Sequence, residues 1–287
     1  MQVHFNKTVL RTTLALTLSC SLALLTAACG GGDGGGGTPA PTPTPTPAPV
    51  TVTRQATLTT GQELPAPTLP DAAAAAPGGT ASFTLYSTNK LRGSMTLTGF
   101  VSPATAPNDV TAAHIHDGDV GVSGAPVVPL APDAAKVVWS APANTVLTDA
   151  QVAKFKAGGY YVNAHTATNT AGLIRGQLIS FTDNVQSIFT ANCIECHSSA
   201  GAASEIMSLV AGSAHANLVN QAAVSPLVPV VPGGSIRVIP GNSAASVLFK
   251  KISGTTAGPQ MPFLGSILSA NNQNLIKVWI DMGAKNN

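Results

Sequence analysis

The chain has 287 residues, a formal net charge of +2, only 9% charged side chains and 5% aromatics. Lys7 and Arg11 are the only charged residues ahead of position 29, and the rest of the chain balances 12 basic against 12 acidic side chains. Near-neutrality of this kind gives no argument for nucleic acid or an anionic lipid face as an electrostatically recruited partner.

In chain order, residues 1–28 have the layout of a secretory signal peptide. His4, Lys7 and Arg11 lie in a polar start, and Leu14 to Ala28 is a mostly apolar stretch ending in small residues. It is too short to span a bilayer comfortably and is expected to be cleaved. Leu24-Leu25-Thr26-Ala27-Ala28-Cys29 resembles the lipobox of bacterial lipoproteins, with Thr26 where leucine is usual. The resemblance implies that Cys29 is diacylated, which holds a protein on a membrane far better than one acyl chain does. Gly30 after it is not a retention signal of the aspartate type, which favours the outer membrane and a periplasmic or surface-facing position. Residues 29–50 then form a Gly-rich and Thr-Pro linker. Its proline half is expected to extend as a spacer of about 35 Å, at about 3.1 Å per residue.

Residues 51–181 read as an antiparallel β-domain. Short runs such as Ala81 to Tyr86, Ser94 to Thr98, Lys136 to Trp139 and Leu173 to Leu178 alternate or are β-branched, with Gly, Pro, Asn and Asp between them. One short helix is expected at Thr148 to Ala157, capped by Thr148 or Asp149. On a strand, His114 and His116 share a side while Ile115 takes the other, and His165 can supply a third nitrogen. Three imidazoles suit copper or zinc. The competing reading is that these histidines bond neighbouring strands while Asp117 and Arg175 pair across the sheet. Ala113-His114-Ile115-His116-Asp117-Gly118, Gly159 to Thr166 and Gly172 to Leu178 together resemble the CHRD domain, over about residues 53–180. That resemblance implies an immunoglobulin-like β-sandwich whose biochemical role is unsettled. The His-x-His strand also looks like copper-zinc superoxide dismutase, although that family's remaining ligands are not evident.

From Thr182 the period changes from two to that of helices. Asp183-Asn184 can cap a helix leading into Cys193, Asn242 or Ser243 a helix to Ile252, and Ser269 a last helix carrying Leu275, Ile276, Trp279 and Ile280. A small all-α domain over residues 182–287 is expected. Within it stands Cys193-Ile194-Glu195-Cys196-His197. Two thiols at i and i+3 match the spacing of the two haem vinyl groups, and the next histidine falls beneath the iron. By composition the pattern arises by chance about once in a thousand such chains. A thioredoxin-like pair needs a strand-to-helix setting, and zinc needs two further ligands. Cys20 leaves with the signal and Cys29 takes the lipid, so no thiol remains for a structural disulfide.

For the second axial ligand, Met261 in Gly258-Pro259-Gln260-Met261-Pro262 is held by flanking prolines, and a thioether raises the potential of the iron. Met282, Met207, His215 or an open position remain alternatives. The leading helix, the Cys-x-x-Cys-His run, the Met-Pro loop and the final helix resemble class I cytochrome c in their order. The resemblance implies that His197 and Met261 are the axial pair of one covalent haem c. The expected function is single-electron transfer with redox partner proteins of the envelope. The alternatives are a haem enzyme or sensor with open coordination at iron, or a metal- or partner-binding β-domain with ancillary haem.

Overall fold

Period-two alternation folds the first half of the chain into strands. The computed structural model describes residues 51–69, 76–100, 109–223, 235–254 and 258–287. The leader, Cys29 and the linker therefore lie outside the described residues, as do residues 225–234 of the Pro- and Val-rich Ser225–Ile239 stretch. Residues 48–287 belong to one compact unit. The strands are β1 (Val52–Thr59), β2 (Gly78–Leu85), β3 (Leu91–Thr98), β4 (Val110–Asp117), β5 (Pro126–Pro129), β6 (Ala131–Pro132), β7 (Val138–Ser140), β8 (Tyr160–Thr166) and β9 (Ile174–Gln177).

Among the described residues they form one antiparallel sheet in the order β5-β4-β8-β9-β1-β2-β3-β7-β6. Its two outermost strands, β5 and β6, are separated in the chain by Leu130 alone. One short stretch thus pairs with β4 through residues 126–129 and with β7 through 131–132, so the sheet must curl back on itself. The result is a barrel-like antiparallel sandwich with a strand crossing at its seam. Leu58, Phe83, Leu91, Met95, Ile115, Val162 and Ile174 fill its interior, each essentially inaccessible to water. Each such side chain contributes roughly 1.5–3 kcal/mol by leaving water.

Between β7 and β8, α1 (Asp149–Lys156) starts where the sequence indicates. Thr148 accepts from the Gln151 backbone and Gln151 returns a bond to the Thr148 backbone, which completes a capping box.

The described residues of 182–287 form no regular helical bundle among them and carry four short α-helices. They are α2 (Gln186–Asn192), α3 (Ala214–Leu218), α4 (Val247–Ser253) and α5 (Ala270–Asp281). The start of α2 differs from expectation. Ser180, not Asp183 or Asn184, caps a π-helical turn over Phe181–Val185 that precedes α2. The Asn184 side chain instead bonds the Ser180 N–H and the Lys156 carbonyl. Asn242 closes only the turn ahead of α4, accepting from Ala245, so α4 begins five residues after it. Ser269 does cap α5, and Gly283 takes the left-handed conformation just past its end. Val185, Ile188, Phe189, Leu218, Ile276 and Trp279 form a second core, distinct from the first. None of the helices among the described residues is long and apolar enough to cross a membrane.

The two cores are stitched together by named contacts. Arg54 on β1 is 1% exposed and bonds Asp183 at 2.8 Å, Lys156 O at 2.7 Å and Ser180 at 3.2 Å. The last residue, Asn287, accepts from the backbones of Phe181 and Thr182 and donates to Gln55. Met282 packs against both cores, a structural position that accounts for it without iron.

Candidate functional site

Strand pairing brings the three histidines together. In the β4–β8 register Ala112 faces His165 and His114 faces Asn163, which places His165 diagonally across from His114 on one side of the sheet. His114 Nδ1 lies 3.1 Å from His165 Nε2, and one ligand nitrogen from each of His114, His116 and His165 falls within 4.8 Å of the others. The ring centroids are 5.0 to 5.7 Å apart.

Backbone carbonyls orient two of the rings. His116 Nδ1 sits 2.9 Å from Gly124 O and His165 Nδ1 sits 3.0 Å from Thr170 O, so each donates its Nδ1–H and keeps a lone pair on Nε2. His116 is 7% exposed, and its Nε2 reaches no hydrogen-bond partner. An orphan of this kind costs about 1–3 kcal/mol.

All three imidazoles are held neutral. Burial pushes His114 and His116 below the usual range, and pushes His165 down to about 4. For His116, burial outweighs bonding to Gly124 and the nearness of Asn163, which both favour the cation.

The same side of β4, β8 and β9 carries more polar residues than sequence reasoning singled out. Tyr161 stacks on His116 at 4.9 Å, and the Arg175 guanidinium lies 3.5 Å from the Tyr161 ring centre. Arg175 donates to the carbonyls of Asp119 and Val122, so the expected Asp117–Arg175 pair does not form. Asp117 pairs with Lys154 instead, because alternation sends its side chain to the other face of β4. Gln177 bonds Gly118 O and Gly158 O, and the 117–124 loop folds over this face. That loop, absent from a strand-only reading, is why His116 is buried rather than outward. Glu63 is also buried here, its carboxyl raised by burial, with Leu64, Arg175 and Asn163 opposing the shift. Polar side chains at period two along β8 and β9 (Tyr161, Asn163, His165; Arg175, Gln177) were the available signal for this network.

Residues 54–178 match the CHRD domain family. All three histidines, Tyr161, Arg175 and Glu63 belong to this CHRD domain, whereas the cysteine turn lies beyond it. Compared as a whole, the chain matches no curated protein and no solved structure significantly.

Beyond the CHRD domain, the turn after α2 carries the Cys-x-x-Cys-His run. The His197 and Cys196 N–H groups both bond Cys193 O, at 2.8 and 3.2 Å, which rolls the five residues into a tight turn. Both thiols are free, with Cys193 half-buried and Cys196 exposed. Burial pushes the Cys193 thiol up to about 11. The turn borders a cleft of about 470 Å³, lined by Thr190 to Glu195, Ser198, Ala200 and Gly201.

Burial also keeps the His197 imidazole neutral, against the pull of the Met207 backbone and assisted by Arg237. Its Nδ1 is buried without a hydrogen bond of ordinary geometry. Arg237, which donates to Asn217 O and Ile206 O, is a neighbour that nothing in the local sequence announced.

Met261 packs half-buried on the same core as Cys193 but does not line the cleft. The segment after it is apolar yet exposed: Phe263 at 59%, Leu264 at 93% and Ile267 at 63%. His215 is engaged elsewhere, its Nε2 donating to Ala284 O at 2.7 Å between Phe181 and Trp279. Met207 is half-buried against the second core.

Proposed function

We propose that residues 182–287 hold one covalent haem c and that the protein transfers single electrons in the bacterial envelope, tethered through a lipid on Cys29. One observation carries the reading. Two free thiols and a neutral imidazole share one hydrogen-bonded turn at the mouth of a cleft.

The donor set suits the group in three ways. The thiols stand at i and i+3 with one exposed, the His197 imidazole is kept neutral by burial with Nδ1 turned to the Met207 backbone, and Phe263, Leu264 and Ile267 offer bare apolar surface beside Met261. Cys193 and Cys196 would anchor the porphyrin, His197 would ligate the iron and Met261 would be the second axial ligand. When bound, the group supplies a one-electron ferric/ferrous change. The chain's own part is to seat Cys193, Met207 and Met261 on one apolar core, which keeps this side of the turn dry. The final helix, closed on the β-sandwich through Asn287, gives the site a rigid base.

A five-coordinate iron acting as an enzyme or sensor is the second reading, favoured by Met261 being packed half-buried on the second core. Mass and visible spectra of protein matured in an exporting host test both. One haem of added mass with a weak far-red sulfur-to-iron band supports His/Met electron transfer, and high-spin ferric features support the second reading. Colourless protein without added mass, from a host competent in cytochrome maturation, ends the haem proposal.

A further inference from the structure

We propose that His114, His116 and His165 form a three-imidazole site in the CHRD domain for one divalent transition-metal ion, Zn²⁺ or Cu²⁺. The site is separate from the cysteine turn and stands whether or not haem is attached there.

The geometry is that of ligands more than of a hydrogen-bonded trio. A His114–His165 hydrogen bond accounts for one contact at 3.1 Å and leaves His116 Nε2 buried without a hydrogen bond of ordinary geometry. A metal ion uses all three nitrogens at once. Two of the rings already donate their far N–H to a backbone carbonyl, Gly124 for His116 and Thr170 for His165. That arrangement fixes the tautomer and aims the Nε2 lone pair, as the outer shell of a metal-bound histidine does. The nitrogens lie within 4.8 Å of one another. Bound at 2.0–2.1 Å to a tetrahedral ion they would stand roughly 3.3 Å apart, so rotation of half-buried His114 and His165 closes the gap.

The donor set selects the ion. The cluster holds no carboxylate, since Asp117 is engaged by Lys154. Neutral nitrogen donors alone disfavour Ca²⁺ and Mg²⁺ and favour Zn²⁺ or Cu²⁺. The Arg175 charge acts on His116 and favours its neutral, metal-binding form, and it has Glu63 beside it as a counter-charge. Three ligands leave a four-coordinate ion one open position, on the side where His114 and His165 meet solvent, for water or a small anionic ligand.

The test uses the full chain purified after export, stripped with chelator and titrated calorimetrically with Zn²⁺ alone and, in a second arm, with Cu²⁺ alone. One equivalent is expected to bind in each arm, tighter for Cu²⁺, with nitrogen hyperfine splitting in the Cu²⁺ electron paramagnetic resonance spectrum. His114→Ala and His165→Ala are each expected to weaken binding by at least about 100-fold. His114→Gln, at a half-buried position, repeats the measurement in a side chain of similar size should an alanine variant unfold. The double variant Cys193→Ser/Cys196→Ser, which removes the thiols that could compete for the metal, is expected to keep the single equivalent in both arms. Binding of less than about a tenth of an equivalent by folded wild type at micromolar free metal overturns the proposal. So does wild-type affinity in the histidine variants of the cluster, or loss of binding in the cysteine double variant.

Discussion

Removing the Asp183 carboxylate is expected to cost more than removing the buried arginine that it faces. Arg54 is almost wholly buried while Asp183 is 53% exposed, so the two partners are not equivalent. Deleting one member of a buried pair typically costs about 3–5 kcal/mol, because the remaining charge is stranded. In Asp183→Ala the guanidinium keeps Lys156 O at 2.7 Å and Thr53 O at 3.1 Å, which lowers the expected cost to roughly 2–4 kcal/mol. That corresponds to a fall of about 4–16 °C in Tm for a chain of this size. In Arg54→Met, Lys156 O still accepts from Asn184 and the Asp183 carboxylate returns to water, so few acceptors are orphaned. The cost there is about 1–3 kcal/mol, for four lost hydrogen bonds partly offset by relief of a buried charge. Once Arg54 is gone, removing Asp183 as well should add almost nothing. Urea unfolding of the two single variants and the double variant, followed by far-UV circular dichroism, reads the cycle directly. An Asp183→Ala cost below about 0.5 kcal/mol, or strict additivity, refutes the reasoning and reduces the pair to a surface salt bridge.

Gly201→Ala is expected to abolish most haem attachment with little loss of the β-sandwich, because a methyl there is driven into the Cys196 and Glu195 carbonyl oxygens, which are backbone and cannot yield; the haem-to-protein ratio measures it. In chain made without haem, Cys193 should resist alkylation while exposed Cys196 reacts. With its thiol pushed up to about 11, only about one Cys193 in a thousand is thiolate at pH 8. Its rate should climb about 100-fold by pH 10, and peptide mass spectrometry at the two pH values checks both statements. Met261→Ala is expected to remove the far-red band and lower the reduction potential, whereas Met282→Ala should leave both alone and cost about 2–4 kcal/mol of stability through the two cores it joins.

Local features were legible where one short segment decides them. The Thr148 capping box, the Ser269 cap and the left-handed Gly283 are set by residues within a turn of one another. Period-two alternation likewise puts His114 and His116 on one side of β4 without knowledge of any partner strand. The approach of His165 was not derivable, since it depends on a register that pairs Ala112 with a residue 53 positions later. The burial of His116 was not derivable for the same reason: its cover comes from a loop, not from the strand pattern. Pro-bounded β5 and β6 lack strand propensity and are held by their neighbours. The shift of the α2 cap to Ser180 follows from Asn184 being needed at Lys156 O, a contact that no neighbouring residue foretells.

The seam strand has one more effect. Pro126, Pro129 and Pro132 occur at every third position along it, and Pro126 and Pro129 are exposed. Proline lacks the N–H that an incoming strand would need, so this rim offers a broken row of donors. A chain with this rim is poorly suited to templating its own copies through that edge, even when many are crowded side by side.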